Sequence, residues 1–268
     1  ESGVEVSTVV EKGKSAFIGP ELYKKSLGII GLGAIGGLIA NVAIHLGMKV
    51  IGCDPFLSVE GAWNLNHRIN HAATYDEIFE KSDYITLHVP ATKDTKNMIC
   101  TANIEKMKDG VKLINLARGE LVNAADLKAS LESGKVSKYV TDFPSADTIG
   151  VKNIINIPHL GASTEESEEN CPVMAAAELC DYIEFGNIKN SVNYPNCEMG
   201  LRGDYTRITI MHRNVPNMIG QFSTILAEDG INIANMTNKS RNAYAYTMID
   251  VENEVTDEIV EDLKKVKE

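Results

Sequence analysis

The longest uncharged stretch of the sequence, Ser26 to Met48, is interrupted by glycines. An uncharged stretch of this length could cross a membrane as one helix. It contains six glycines, however, and each would destabilise a continuous helix by about 1 kcal/mol relative to alanine. The sequence therefore predicts a short buried strand at 27–30, a glycine turn, a helix at about 34–46 and a second strand at 49–53.

The predicted turn has the spacing Gly31-x-Gly33-x-x-Gly36, at a junction between a strand and a helix. Gly31 permits a tight turn, Gly33 has no Cβ to keep a pyrophosphate away, and Gly36 lets the helix pack close to the strand. The backbone amides of Ala34 and Ile35 would open the helix, where its dipole favours a phosphate. The motif predicts a dinucleotide site; the alternative is a turn that only packs the helix against a sheet.

Asp54 directly follows the second predicted strand. A carboxylate at this position can accept hydrogen bonds from the adenosine ribose, and it would repel the 2′-phosphate of NADP. We therefore expect NAD as the cofactor.

Composition and charge narrow the class of protein. The chain has 268 residues, 44% of them hydrophobic and 24% charged, which is the balance of a globular protein with one or two domains. A net charge of −11 argues against nucleic acid or an anionic membrane as a partner. The five cysteines form no CxxC pair, so we expect reduced thiols in the cytoplasm and no metal site. No signal peptide is expected either.

Strand and helix patterns alternate from residue 27 to residue 159, which predicts a Rossmann-type, doubly wound parallel sheet of the α/β class. Ligands of such sheets bind at the carboxyl ends of the strands. The polar residues predicted at those ends are Asp54, His88, Arg118, Asp142 and His159.

A second domain follows a long predicted helix at 165–185 and a Gly-, Asn- and Pro-rich linker. From Tyr205 the patterns read strand, helix, strand, strand, helix, which predicts a small α+β domain. We assign residues 1–195 to the cofactor-binding domain with the long helix, and 204–268 to the second domain.

Three kinds of side chain at the predicted sheet edge suit chemistry on a hydroxy acid. Arg118 could bind a substrate carboxylate with two parallel hydrogen bonds, although a surface ion pair is the alternative. His159 could exchange a proton with a hydroxyl at neutral pH. Asp142 or Asp147 could hold its imidazole.

Four motifs, "GPELYKKSLGIIGLGAIG", "DYITLHVP", "INLARGELVN" and "IPHLGASTEESEEN", resemble the D-2-hydroxyacid dehydrogenases, in particular those that act on D-3-phosphoglycerate. The resemblance implies NAD-dependent oxidation of D-3-phosphoglycerate to 3-phosphohydroxypyruvate in L-serine biosynthesis. The family's catalytic Arg, acid and His map to Arg118, Asp147 and His159. The family usually has Glu in a "DVFxxEP" pattern where this chain reads "DFPSAD".

The resemblance also implies the residues that contact the cofactor. Beside the glycine motif and Asp54, they map to three loops: Ala34, Ile35, Val89, Pro90, Leu116, Ala117, Arg118, Asp142, His159, Leu160, Gly161 and Ala162. Part of a substrate domain would precede residue 1.

The C-terminal part resembles an ACT domain, a ferredoxin-like ligand-sensing module, without its last strand. His212, Asn214 and Asn232 match that module's serine-binding positions and are expected to meet around one serine, although Asn217 replaces a common glycine. An ACT domain kept only for assembly is the alternative. ACT domains usually pair, so a homodimer or homotetramer is expected.

Two alternative functions stay open from the sequence. A glyoxylate or hydroxypyruvate reductase would use the same Arg118 and His159. A non-catalytic, NAD-binding regulatory protein would retain the fold with a vestigial site.

Overall fold

The computed structural model describes residues 5–267, which form two compact units that divide after Gly161. The long helix at 165–185 belongs to the second unit, whereas the sequence-based assignment placed it with the first. That assignment, 1–195 and 204–268, includes residues 1–4 and 268, which lie outside the described residues. The functional division of the chain stays a prediction.

The first unit is built on a parallel seven-stranded sheet, as the sequence predicted. The strand order is β3-β2-β1-β4-β5-β6-β7, so the chain reverses direction of winding between β1 and β4. A crevice for a ligand forms at such a switch point. The strands are β1 (Ser26–Ile30), β2 (Lys49–Cys53), β3 (Asn70–His71), β4 (Tyr84–Leu87), β5 (Val111–Asn115), β6 (Val136–Thr141) and β7 (Ile154–Asn156).

The helices of this unit include the one that the sequence predicted at about 34–46. They are α1 (Val6–Gly13), α2 (Ala34–His45), α3 (Val59–Trp63), α4 (Tyr75–Lys81), α5 (Thr101–Ile104) and α6 (Ala124–Ser133). α5 ends at Ile104, because the amides of Lys106 and Met107 bond three residues back. α1 and α3 were not predicted.

Alternate residues of β1 pack on opposite faces of the sheet. Leu27 and Ile29 join one buried cluster with α2, whereas Ile30 joins another with α4. Gly28 faces α4 so closely that a Cβ would lie 2.5 Å from Ile78 Cγ2. Helices on both faces therefore bury the sheet, and its carboxyl edge is the part of β1 left for a ligand.

Asp83 links neighbouring strands at the amino-terminal ends of the sheet, opposite the carboxyl ends. Its Oδ2 accepts hydrogen bonds from the backbone amide and hydroxyl of Ser26, both at 2.8 Å, and its Oδ1 pairs with Lys108 Nζ at 3.0 Å. Burial alone would raise the pKa of Asp83, but the hydrogen bonds from Ser26 and Lys108 outweigh it and lower the pKa to about 2.

We expect Asp83→Asn to lower the free energy of unfolding by about 1 kcal/mol at pH 7, a value discounted because the side chain is 32% exposed. A lowered pKa stabilises the folded protein above the unfolded value of 3.8. The difference between wild type and variant should therefore shrink as pH falls from about 4 to about 2. Urea unfolding followed by circular dichroism at several pH values measures it.

Asp109→Asn is the matched control, because Asp109 pairs with Lys135 at 2.8 Å on the same edge but is 91% exposed. We expect little change in unfolding from this variant. An equal loss from both variants would contradict the role given to Asp83.

The second unit begins with α7 (Glu165–Phe185), which Thr164 caps by accepting a hydrogen bond from the Ser167 amide. An antiparallel sheet follows in the order β8-β10-β9, with β8 (Thr206–Arg213), β9 (Ile233–Arg241) and β10 (Tyr244–Val251). α8 (Met218–Glu228) and α9 (Asp257–Lys264) supply Phe222, Leu226 and Ile259 to one buried cluster with β10. The predicted order of strands and helices is present here.

A buried ion pair joins the edge strand β8 to the central strand β10. Arg207 Nε and Nη2 donate to the two oxygens of Asp250 at 2.6 and 2.8 Å. Arg207 Nη1 donates to the carbonyls of Phe185 and Gly200. With both side chains almost fully buried, these bonds fix the end of α7 to the sheet.

Within residues 5–267, the structure contains no helix with the length and apolar character needed to span a membrane.

Candidate functional site

At two glycines of the turn between β1 and α2, Gly31 and Gly36, there is no room for a side chain. Gly31 has a φ of +92°, and a Cβ there would lie 2.5 Å from the carbonyl oxygen of His88. A Cβ on Gly36 would lie only 1.9 Å from the carbonyl oxygen of Gly31. Both positions therefore require glycine, which brings the start of α2 close to the ends of β1 and β4.

The start of α2 is open. Gly33 is its N-cap residue and has no side chain to bond the first amides, whereas Thr74, Asn123 and Thr164 cap α4, α6 and α7. A Cβ built on Gly33 meets no atom within 4 Å. The first amides of α2, including those of Ala34 and Ile35, thus face space that an anion can occupy.

Asp54 is fixed at the end of β2 by two backbone amides. Oδ2 accepts from Leu32 at 2.8 Å and Oδ1 accepts from Phe56 at 2.9 Å. Its carboxylate borders a cavity of about 570 Å³, which also includes Gly33, Ala34, Asn41 and Ser58. The short helix α3, capped by Ser58 and not predicted from the sequence, forms one wall of this cavity.

The other end of the predicted cofactor site contains a buried carboxylate, that of Asp142. Asp142 lies just past the end of β6, and its side chain is 11% exposed. Within the described residues, its Oδ1 has no hydrogen-bond donor. An N–H donor on a bound ligand would satisfy it.

These features fit NAD. The space over Gly33 and the uncapped amides of α2 suit a pyrophosphate, Asp54 suits a ribose, and Asp142 Oδ1 suits an amide donor. Among residues 5–267, no group of three or more His, Cys, Asp and Glu side chains is placed to hold a metal ion.

His88 packs against the glycine turn, just past the end of β4. Its amide donates to the Ile30 carbonyl at 2.7 Å, and its Nε2 bonds the Thr86 hydroxyl at 2.9 Å. Burial lowers the pKa of His88, so the imidazole is neutral at pH 7. The ring is therefore an uncharged part of the wall beside Gly36.

The loop that carries Arg118 is held by Asn115, a residue that the sequence interpretation passed over. Asn115 is fully buried, its Nδ2 donates to the Arg118 carbonyl at 2.8 Å, and its Oδ1 accepts from the amides of Ala117 and Arg118. Arg118 itself is exposed and donates through Nη1 to the Ala117 carbonyl. Its other N–H groups are directed to no residue among those described, which suits an anionic ligand.

His159 and Asp142 contact each other at this edge of the sheet. His159 Nδ1 lies 2.7 Å from Asp142 Oδ2, and the imidazole packs on Phe143 with ring centroids 4.7 Å apart. A Cβ on Gly119 would lie 3.4 Å from Phe143, so this phenyl ring connects the Arg118 loop to His159.

The structure does not bring Asp147 to His159, which differs from the pairing implied by the family resemblance. Asp147 is 66% exposed, and its Oδ1 lies 3.3 Å from Lys128 Nζ. The turn at 145–148, closed by bonds between Ser145 and Thr148, directs it toward α6.

The remaining predicted cofactor residues lie on loops after the strands. Val89 and Pro90 follow β4, and Leu116 and Ala117 follow β5. Leu160 and Gly161 follow His159, and Ala162 begins the second unit. Their contact with a cofactor stays a prediction.

The three predicted serine-binding residues do not meet within one chain. His212 pairs with Ala245 on β10, whereas the Asn232 carbonyl accepts a bond from the Glu252 amide. The distance from Ala245 to Glu252 is roughly 23 Å at about 3.3 Å per residue. Asn214 lies at the His212 end, where its amide donates to Ala243. β8 and β9 run in the same direction, so these residues lie at opposite ends of the sheet, and serine binding by them at an edge between domains stays a prediction.

The His212 ring is buried and bonded at both nitrogens, to the Arg213 carbonyl and the Thr247 hydroxyl. Asn217 has a φ of +68°, a conformation that asparagine adopts more readily than other non-glycine residues. Asparagine thus suits the left-handed backbone at this position.

Comparison with known proteins agrees with the first unit's geometry. The sequence profile of the D-isomer specific 2-hydroxyacid dehydrogenase NAD binding domain matches residues 4–161. Within that range lie the glycine turn, Asp54, Arg118, Asp142 and His159.

Relatives from several organisms are named D-3-phosphoglycerate dehydrogenase. The Bacillus subtilis protein is 39% identical over 191 residues, which cover 69% of this chain and 36% of that protein. The Haemophilus influenzae protein is 30% identical over 264 residues, covering 94% of this chain and 63% of that protein. This chain thus spans between about a third and two thirds of their length.

The fold is also similar to a solved glyoxylate reductase from Paecilomyes thermophila. The TM-score is 0.58 at 27% identity, and the match covers 69% of this chain and 60% of that one.

Proposed function

Because this chain belongs to the D-isomer specific 2-hydroxyacid dehydrogenase family, we propose that the protein oxidises D-3-phosphoglycerate to 3-phosphohydroxypyruvate with NAD, in L-serine biosynthesis. The observation that carries the proposal is the identity of 30–39% to D-3-phosphoglycerate dehydrogenases over most of this chain. The pair of His159 and Asp142 beside the Arg118 loop supports it.

Each residue has a chemical task in this reaction. Arg118 binds the substrate carboxylate through its unused N–H groups and holds the C2 carbon in place. His159 accepts the hydroxyl proton at Nε2, because Nδ1 is engaged with a carboxylate. NAD, when bound, accepts the hydride. The uncapped start of α2 binds its pyrophosphate and Asp54 its ribose.

A glyoxylate or hydroxypyruvate reductase is the second candidate. The similarity to the Paecilomyes glyoxylate reductase, which covers 69% of this chain, favours it. Arg118 and His159 would then serve the reverse reaction. The two candidates differ in the need for a substrate phosphate.

The experiment is NADH formation at about pH 8 to 9 with D-3-phosphoglycerate and, separately, with D-glycerate; alkaline conditions favour loss of the hydroxyl proton. We expect kcat/KM to be roughly 100-fold higher for the phosphorylated substrate, since charged hydrogen bonds to a phosphate add about 2 to 3 kcal/mol. NAD-dependent activity that prefers D-glycerate, or glyoxylate in the reverse direction, would favour the reductase. NAD binding without turnover of any of them would favour a regulatory protein.

We further propose that residues 204–268 form an ACT domain that pairs with a second copy of itself and senses L-serine. Since His212 and Asn232 lie at opposite ends of one sheet, a serine contacting both would need residues from two copies. We therefore expect the protein to form a homodimer or homotetramer in the cytoplasm. Measuring NADH formation with and without L-serine tests this second proposal. If L-serine did not inhibit the reaction, a domain that serves only assembly would be favoured.

A further inference from the structure

We propose that Asn115 and Tyr139 are a pair of buried positioning residues that together determine where the Arg118 side chain meets a substrate carboxylate. This inference rests on the proposed function, because it takes Arg118 as the group that binds the carboxylate. Both side chains are buried, with Asn115 at 0% and Tyr139 at 3% exposed, so neither contacts the substrate. They act through the loop that carries Arg118.

Asn115 uses every hydrogen-bonding group of its side chain. Its Nδ2 donates to the Arg118 carbonyl at 2.8 Å and to the Tyr139 hydroxyl oxygen at 3.2 Å. Its Oδ1 accepts from the Ala117 amide at 3.2 Å and from the Arg118 amide at 3.4 Å. An amide side chain donates two hydrogen bonds and accepts two, so no capacity is left. Turned by 180°, it would place Nδ2 against two backbone N–H groups, so only this orientation satisfies all four bonds.

Tyr139 supports that orientation from the neighbouring strand. It lies on β6, where it pairs with Leu113 of β5. Its hydroxyl receives the second Nδ2 hydrogen of Asn115, the one that does not reach the Arg118 loop. Burial raises the pKa of Tyr139, so the hydroxyl stays neutral at pH 8 to 9. The pair therefore keeps the same hydrogen bond under the conditions of the activity assay.

The loop that this pair holds is short, so its position depends strongly on these bonds. Only residues 116–118 separate the end of β5 from the helical turn Gly119–Leu121. Asn115 bonds both the amide and the carbonyl of Arg118, and thereby fixes the Cα from which the guanidinium extends. A displacement of about 1 Å in a group that positions the substrate can lower the rate roughly 100-fold. The buried pair thus contributes to carboxylate binding although the Arg118 side chain is exposed.

The first test measures the binding of oxamate to the whole protein in the presence of saturating NADH. Oxamate carries a carboxylate next to an amide carbonyl, which NADH does not reduce. We expect Tyr139→Phe to weaken oxamate roughly fivefold, the effect of one neutral hydrogen bond, and Asn115→Ala to weaken it roughly 50-fold. The affinity for NADH should change by less than about threefold in both variants.

Tyr84→Phe is the matched control, because Tyr84 begins β4 at the opposite edge of the same sheet. We expect wild-type affinity for oxamate from it. Tyr139→Phe keeps the phenyl ring that packs in the buried cluster, so it tests the pair even where Asn115→Ala does not fold.

The second test is a double-mutant cycle with Arg118→Ala, read out as kcat/KM at saturating NAD for D-3-phosphoglycerate or D-glycerate, whichever the protein oxidises faster. In the background with Arg118, Tyr139→Phe should lower kcat/KM roughly fivefold. In the Arg118→Ala background, the same substitution should change it by less than about twofold, because no guanidinium is left to position. A residue that only stabilises the fold would lower kcat/KM by the same factor in both backgrounds.

Equal factors in the two backgrounds, or a loss of NADH affinity as large as the loss of oxamate affinity, would overturn the role of the pair. If Arg118→Ala left oxamate binding unchanged, the carboxylate role of Arg118 and this inference would both fail. If Arg118→Ala weakened oxamate but the cycle were additive, only this inference would fail. Since oxamate has no phosphate, a preference for D-glycerate would change the proposed substrate and leave the pair in place.

Discussion

Replacing His159 with glutamine is expected to lower kcat/KM roughly 10³-fold, within the range that a general base contributes. Glutamine is similar in size and keeps a hydrogen-bonding group, but it cannot accept a proton from a hydroxyl at neutral pH. The affinity for NAD should change by less than about threefold, because the pyrophosphate and ribose positions lie on other loops. Steady-state NADH formation and a fluorescence titration with NAD separate the two effects.

His67→Gln is the matched control, because His67 is an exposed histidine of the same unit that lies between α3 and β3, before the amino end of β3. We expect wild-type kinetics from it. If His159→Gln retained most of the wild-type kcat/KM at saturating NAD, the imidazole would not be the base. A loss confined to KM for NAD would instead assign His159 to cofactor binding.

The parts of this site that depend on residues close together in the sequence were predictable from it. Gly31, Gly33 and Gly36 determine a turn within six residues, and the end of β2 places Asp54 beside it, where it bonds the Leu32 amide. The parallel sheet also follows from alternating patterns, since strand ends in such a sheet share one edge.

The choice between Asp142 and Asp147 was not predictable in the same way. Both lie on one loop, and the difference arises from side-chain direction: Asp142 follows β6 inward, and Asp147 is directed toward Lys128. Asn115 is the last residue of β5, and its sequence neighbours do not indicate that its side chain holds the Arg118 loop. Likewise, the separation of His212 and Asn232 depends on strand direction: β8 and β9 both pair antiparallel with β10, so the end of β8 and the start of β9 lie at opposite ends of the sheet.

Replacing Gly33 with alanine is expected to weaken NAD binding roughly 100-fold, or about 2.7 kcal/mol, without unfolding the protein. The added methyl meets no protein atom within 4 Å, and the backbone has a φ of −67°, which alanine can adopt. The methyl instead occupies the space in front of the uncapped amides of α2, where a pyrophosphate would lie. Calorimetric titration with NAD and thermal unfolding without it measure the two quantities.

Two other glycines make this result specific. Gly19→Ala also adds a methyl into open space but lies outside the turn, so both NAD binding and stability should stay at wild-type values. Gly36→Ala places its methyl 1.9 Å from the Gly31 carbonyl, so it should lower the melting temperature as well as the affinity. If Gly33→Ala bound NAD as the wild type does, the space over this turn would not hold the pyrophosphate. The glycines would then serve only to pack α2 against the sheet, which is the alternative that the sequence left open.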